Sequence, residues 1–171
     1  MICETRVLIV GFVFLLINVL FITGCTSVIS KPVLNRVDRS ITFQALRAQP
    51  EQFVGKMVLL GGLIVKATVK KEETLVEVVQ KPLDGQKRPE DTDRNLGRFL
   101  ILYQGFRDPV IYAPGKKITV AGEIRGKMVL PLNEIQYRYP VIIPTEDHVW
   151  KPEDIYGGPR FGIGIGVGVG L

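Results

Sequence analysis

The chain has 171 residues, 46% of them hydrophobic and 23% charged, with 22 Lys+Arg against 17 Asp+Glu, two cysteines and one histidine. That length holds one ordinary domain plus extensions, and the Cys and His counts exclude a disulfide scaffold and a multi-histidine metal site. The mean hydropathy of +0.22 is high for so charged a chain; the apolar residues concentrate at the two ends, Val7 to Ile22 and Phe161 to Leu171, while the middle reads as an ordinary globular pattern.

The first end, VLIVGFVFLLINVLFI, is 16 residues long. It falls between the roughly 7–15 of a signal-peptide core and the ~20 of a bilayer-spanning helix, so length alone does not choose. The residues that follow do. Ile22, Thr23, Gly24 and Cys25 are an aliphatic residue, two small residues and a cysteine, the pattern of the lipobox of bacterial lipoproteins. The thiol takes a diacylglyceryl group, and the small residues admit the peptidase to the bond before Cys25. Two or more acyl chains are needed for stable anchoring. The expected partners are therefore membrane lipid, through acylated Cys25, and the machinery of lipoprotein maturation and sorting. Thr26 and Ser27 follow, without the Asp that retains enterobacterial lipoproteins in the inner membrane, which points to the outer membrane. The competing reading is an uncleaved anchor helix with Cys25 as a free thiol.

Residues 25–39 are mixed and polar with little periodicity, as in a lipidated tether. A short helix is expected next, capped by Ser40 or Thr42, with Phe43, Ala45 and Leu46 on one face and Pro50 as its stop. Six β-branched or aromatic runs then follow: Lys56 to Val69, Thr74 to Gln80, Arg98 to Gln104, Lys117 to Ile124, Lys127 to Leu132 and Ile135 to Ile143. With no helical pattern between them they predict an all-β, mainly antiparallel fold, a small OB-like barrel of five to six strands. Gly61 and Gly62 inside the first run predict a bulge, a bend or a close backbone approach. Arg125 and Gly126 suit a hairpin turn. The charged connection 81–96 reads as an exposed loop with mobile parts, whereas Phe106, Val110, Ile111 and Tyr112 in the connection 105–115 are expected to pack over one barrel end. The barrel domain is expected over residues 40–156, after a signal peptide at 1–24.

The tail at 157–171 ends in strict alternation of glycine with aliphatic residues from Phe161. In an extended chain all its side chains share one face, and its 11 residues match the ~9–11 of a membrane-crossing strand, which alone leaves its backbone unpaired in hydrocarbon. A flexible tail, addition to a sheet edge or self-association, and a place at the membrane interface all stay open.

The order of motifs resembles the Slp family of outer-membrane lipoproteins. The residues that carry the likeness are Phe53-Val54-Gly55-Lys56, Gly61-Gly62-Leu63-Ile64, Glu77 with Pro82-Leu83-Asp84, Gly97-Arg98-Phe99, Gly105-Phe106-Arg107-Asp108-Pro109 and Gly122-Glu123-Ile124. It spans roughly Thr42 to Trp150, in addition to the lipobox. The resemblance implies a lipid-anchored, β-barrel-like domain facing the periplasm, associated in some members with starvation or stationary phase, and no established enzymatic activity. The tails of many relatives are rich in Tyr, Trp and Pro; the glycine-aliphatic tail here departs from them.

A search for chemistry returns little. The lone His148, beside Asp147 and Trp150, reads as a surface or edge residue. Glu72, Glu73, Glu77 and the Glu90, Asp91, Asp93 group read as solvated carboxylates. No Walker loop, GxGxxG or GxSxG occurs, so no catalytic residue, metal or cofactor is expected. Asp108 either caps its own turn, with Pro109 fixing the backbone, or joins Arg107 at a ligand or partner surface. Tyr103, Tyr112, Tyr137 and Tyr139 with Arg98, Arg107 and Arg138 either pack in the core and across strands or line a groove. Aromatics beside cations are how OB-like surfaces bind nucleotide or sugar chains. Nucleic acid is not an expected ligand in the periplasm, which leaves glycans or lipid headgroups. The leading expectation is a non-enzymatic envelope lipoprotein, and the alternative is a binding module built on that aromatic and arginine surface; no specific protein partner is indicated.

Overall fold

The computed structural model describes residues 27–151. The signal segment, the lipobox Ile22 to Cys25 and the tail at 157–171 lie outside the described residues. Two short helices, α1 (Lys31–Leu34) and α2 (Phe43–Ala48), and a 3-10 turn at Pro50–Phe53 precede five strands. The strands are β1 (Met57–Val69), β2 (Glu73–Gln80), β3 (Arg98–Gln104), β4 (Lys117–Leu132) and β5 (Ile135–Val149). They close into a barrel in the order β1-β2-β3-β5-β4. Every pairing is antiparallel except that of β3 with β5, which is the OB-like architecture the sequence predicts.

Period-two alternation sorts the side chains into an inside and an outside. Val76 and Val78 of β2, Phe99, Ile101 and Tyr103 of β3, and Ile118, Val120 and Ile124 of β4 fill the barrel with Val58, Leu60 and Ile64 of β1. Helix α2 adds Phe43 and Leu46 to this core. Its cap is Thr42, whose hydroxyl accepts from the Ala45 N–H at 3.2 Å. Ala45 itself is exposed, so the buried face is narrower than expected.

Strand β1 serves both halves of the barrel. Its residues 57–63 pair with β4, residues 62–69 pair with β2, and Gly62 and Leu63 pair with both. A Cβ at Gly62 would stand 1.9 Å from the Val79 carbonyl oxygen, so glycine is required there by the backbone's approach. The register slip itself falls just beyond, between Ile64 and Lys66.

Arg125 and Gly126 do not turn the chain. The fourth and fifth apolar runs are one strand, and the register shifts between Ile124 and Gly126, where Gly126 has φ 116°. A bulge bends the strand and tightens its twist. The hairpin turn comes later, at Asn133, in the left-handed region (φ 53°) that asparagine tolerates. The β4–β5 hairpin thereby covers the outer face of β2 and β3, burying Leu75, Leu100, Tyr139 and Val141 in a second cluster.

The tether expectation fails from Val28 onward. Ile29 and Val33 bury against Met57 and Ala121 on the outer face of β1 and β4, and Val28, Leu34 and Val37 pack beside them. A four-residue helix has no stability of its own; the apolar contact holds it. The connection 81–96 is also pinned. The Asp84 carboxylate accepts from the N–H groups of Gln86 and Arg88. Lys117, almost fully buried, pairs with Asp91 at 2.7 Å, and the Lys81 ammonium donates to the Thr92 carbonyl.

Candidate functional site

Apart from Arg138, the tyrosines and arginines expected to form one groove separate into two groups, one on the outer face of the sheet and one at a barrel end, and the positions on β3 that lead to each differ in parity. On β3, Arg98 points outward and Tyr103 inward.

The outer group centres on Glu77, a carboxylate expected to be solvated and found only 5% exposed. Arg98 Nη1 meets Glu77 Oε1 at 2.6 Å, and Lys66 Nζ lies 3.6 Å from Oε2. The Tyr139 hydroxyl donates to Oε1 at 3.1 Å. Burial, with the Glu77 carboxylate beside it, pushes Tyr139 up to about 12. The Tyr137 ring packs at a 59° tilt against Tyr139, centroids 4.6 Å apart, and its hydroxyl accepts from the Arg98 backbone N–H at 3.0 Å. The close approach of Tyr137 and Arg47 at Gly97 fits that residue's φ of 128° and leaves no room for a Cβ. Charge, hydroxyls and rings here satisfy one another beneath the hairpin. Sequence spacing had no means of finding this, because Glu77 and Tyr139 are 62 residues apart.

The inner group closes the barrel end at the β3–β4 loop. Tyr103 and Tyr112 are buried with their rings 5.1 Å apart, and the Tyr112 hydroxyl donates to Asp147 Oδ2 at 3.1 Å. Burial pushes the Tyr103 hydroxyl well above the usual range and raises that of Tyr112, with the Asp147 carboxylate adding to both. Arg107 lies over the outside of the Tyr103 ring, 5.0 Å from its centroid. Asp108 takes the capping role: its carboxylate accepts from the Val110 N–H at 2.8 Å, and its carbonyl accepts from the Ile111 and Tyr112 N–H groups. His148 packs edge-on against buried Trp150 at 4.7 Å.

Of the expected ligand surface, Arg107, Asp108 and Arg138 are exposed, Arg98 and Tyr137 are partly covered, and Tyr103, Tyr112 and Tyr139 are buried. Arg138 opposes Val129 in the hairpin, away from the other two. The β2–β3 outer face, on which OB folds commonly bind chains, is occupied by the protein's own hairpin. The expectation for the β3–β4 loop also changes. Only Tyr112 packs inward; Phe106, Val110 and Ile111 are 67%, 75% and 52% exposed. Among the described residues no cluster of three His, Cys, Asp or Glu side chains has the geometry to hold a metal ion.

The segment following Cys25 has a defined anchorage. The Ser30 N–H and hydroxyl donate to the two Glu146 carboxylate oxygens at 2.7 and 2.6 Å, which holds that carboxyl below the usual glutamate range. Cys25 is five residues before Ser30 at this fixed point on β5.

The chain is 29% identical over 121 residues to the outer membrane protein Slp of Escherichia coli, covering 71% of this chain and 64% of that protein. It is 30% identical over 105 residues to an uncharacterized protein of Haemophilus influenzae, covering 61% of this chain and 57% of that one. The matches thus span less than two thirds of either relative. A family model described as the outer membrane lipoprotein Slp family matches residues 22–161, and the chain belongs to that family.

Proposed function

We propose that this outer-membrane lipoprotein is made with a cleavable signal over residues 1–24, is acylated at Cys25, and holds its barrel on the periplasmic side of the membrane without catalysing a reaction. Ile22, Thr23 and Gly24 are the peptidase-recognition residues. The observation that carries the reading is where the family match begins: at Ile22, so that the lipobox is part of the matched segment.

The non-catalytic, structural reading draws on how the polar side chains are used. Glu77, Arg98 and Tyr139 bind one another, Asp108 caps its own loop, and Tyr112 binds Asp147. The barrel interior is filled by side chains and its β2–β3 face is covered. A role in starvation or stationary phase is supported by the family resemblance alone. Membrane lipid and the maturation and sorting machinery are the partners this reading requires.

The test is the mass of the mature N-terminal peptide together with membrane fractionation. A diacylglyceryl-modified Cys25 terminus in the outer-membrane fraction is expected, with Cys25→Ala accumulating as unprocessed precursor. An intact Met1 terminus on membrane-extracted protein eliminates the reading.

A further inference from the structure

The β3–β4 loop combines two properties that ordinarily conflict. It presents three large apolar side chains to the outside, Phe106, Val110 and Ile111, yet the backbone groups of Val110 and Ile111 are already satisfied. The Val110 N–H bonds the Asp108 carboxylate and the Ile111 N–H bonds the Asp108 carbonyl. The Val110 and Ile111 carbonyls both accept from the Lys116 ammonium, at 2.9 and 3.1 Å. Unpaired backbone is what normally bars a loop from a low-dielectric medium. Here the tip carries its hydrogen bonds with it, and Tyr112 bolts the loop to Asp147.

Position supplies the second argument. Ser30 is fixed to Glu146, the chain neighbour of Asp147. From Ser30 back to Cys25 is five residues, which span at most ~18 Å when fully extended. An acylated Cys25 therefore brings a bilayer within reach of the strand segment that holds the loop. The same barrel end carries Arg107, Lys116 and, through the Gly105 N–H to Glu72 carbonyl bond that sets the β1–β2 turn beside the loop, Lys70 and Lys71. Glu72, Glu73 and Asp108 lie among these cations, Glu73 pairing with Lys70 at 2.7 Å, which leaves Arg107 and Lys71 to meet lipid phosphates beside the apolar tip.

We propose that Phe106, Val110 and Ile111 form a wedge that enters the headgroup–acyl boundary of the leaflet carrying the Cys25 acyl chains. The anchor and the wedge are then two attachments that fix the barrel's orientation on the membrane. The inference rests on the acylation of Cys25 proposed above.

The test uses the full-length acylated protein in vesicles of phosphatidylethanolamine and phosphatidylglycerol containing bromine-labelled lipid. Acylation consumes the Cys25 thiol and cleavage removes Cys3, so an introduced cysteine is the sole labelling site. A bimane fluorophore is placed by Val110→Cys, or by Val129→Cys as a comparison, since Val129 is exposed on the distant β4–β5 hairpin. Quenching at position 110 of roughly twofold or more is expected, as for a probe ~5–10 Å into the boundary, with none at 129. With the label at Ile111→Cys, adding Phe106→Ser and Val110→Ser is expected to lower the ratio of inserted to withdrawn loop at least about tenfold. These side chains are exposed, so the unfolding temperature stays unchanged. An unquenched probe at 110, or equal quenching at 110 and 129, on protein whose N-terminal peptide carries the acyl mass overturns the wedge and leaves the anchor standing. A peptide without the acyl mass overturns both.

Discussion

Two outer faces of one barrel are covered by different means. The β2–β3 face lies under the β4–β5 hairpin, whose strands continue the barrel's own ladders and bury Leu75, Leu100, Tyr139 and Val141 around the Glu77–Arg98 pair. The β1–β4 face lies under residues 28–37, held by Ile29, Val33 and an exposed Ser30–Glu146 contact. The first cover is continuous with the fold and closes over a charge; the second is a separate strip laid on it. A cover of the first kind leaves only with the barrel, whereas one of the second kind can detach locally.

The sharpest way to break this contrast is to remove the buried charge. Glu77→Ala leaves Arg98 beneath the hairpin without its carboxylate and is expected to cost about 3 kcal/mol, the low end for breaking a buried pair from one side, because the Arg98 side chain is still 30% exposed. The measurement is equilibrium urea unfolding, and a loss below about 1 kcal/mol would show the network to be solvated. Tyr139→Phe removes one hydrogen bond to an ionised group and is expected to cost about 1.5–3 kcal/mol. The same hydroxyl makes the hairpin cover sensitive to alkali. Its pKa is raised in the folded state to about 12, so its contribution is fully present below the ordinary tyrosine value near 10 and is lost as pH rises toward 12. Absorbance titration at 295 nm, compared between wild type and Tyr139→Phe, identifies that step.

On the other face the effects shrink and turn local. Ile29→Ala is expected to cost about 2 kcal/mol, the low end for emptying a buried Ile site, because a strip that peels away limits its own effect on the barrel. Hydrogen exchange should show residues 30–37 opening before the strands; concerted exchange of both would erase the distinction. The smallest effect belongs to Glu146→Gln. Ser30 holds the Glu146 carboxyl below its usual value, so this contact contributes above the ordinary glutamate pKa and is lost as pH falls through the lowered one. Faster exchange at residues 30–35, with an unchanged unfolding midpoint, is the expected outcome.

The same contrast explains which residues were legible beforehand. Strand identities, the capped helix at Thr42 and the need for glycine at Gly62 follow from local pattern, because period two and capping act over a few residues. Arg125 and Gly126 misled because a bulge and a tight turn demand the same glycine chemistry; what separates them is whether a partner strand continues alongside, and β5 does. Glu77 looked solvated for a related reason: its neighbours on β2 are apolar whichever way it points, and only the returning hairpin closes over it. For Phe106, Val110 and Ile111 the sequence showed apolar residues in a loop and implied packing, but there is no room in an end that Tyr112 already fills.

The sequence alone determined the lipobox pattern, the family resemblance, the all-β class and the residues able to alternate, since each depends on near neighbours along the chain. Tertiary structure alone decided which face each strand presents to what. It laid residues 28–37 on the barrel, folded the hairpin over β2 and β3, and left one loop apolar and outward. The hairpin's place over β2 and β3 depends on closing the barrel with β3 parallel to β5, a long-range pairing that no local period encodes.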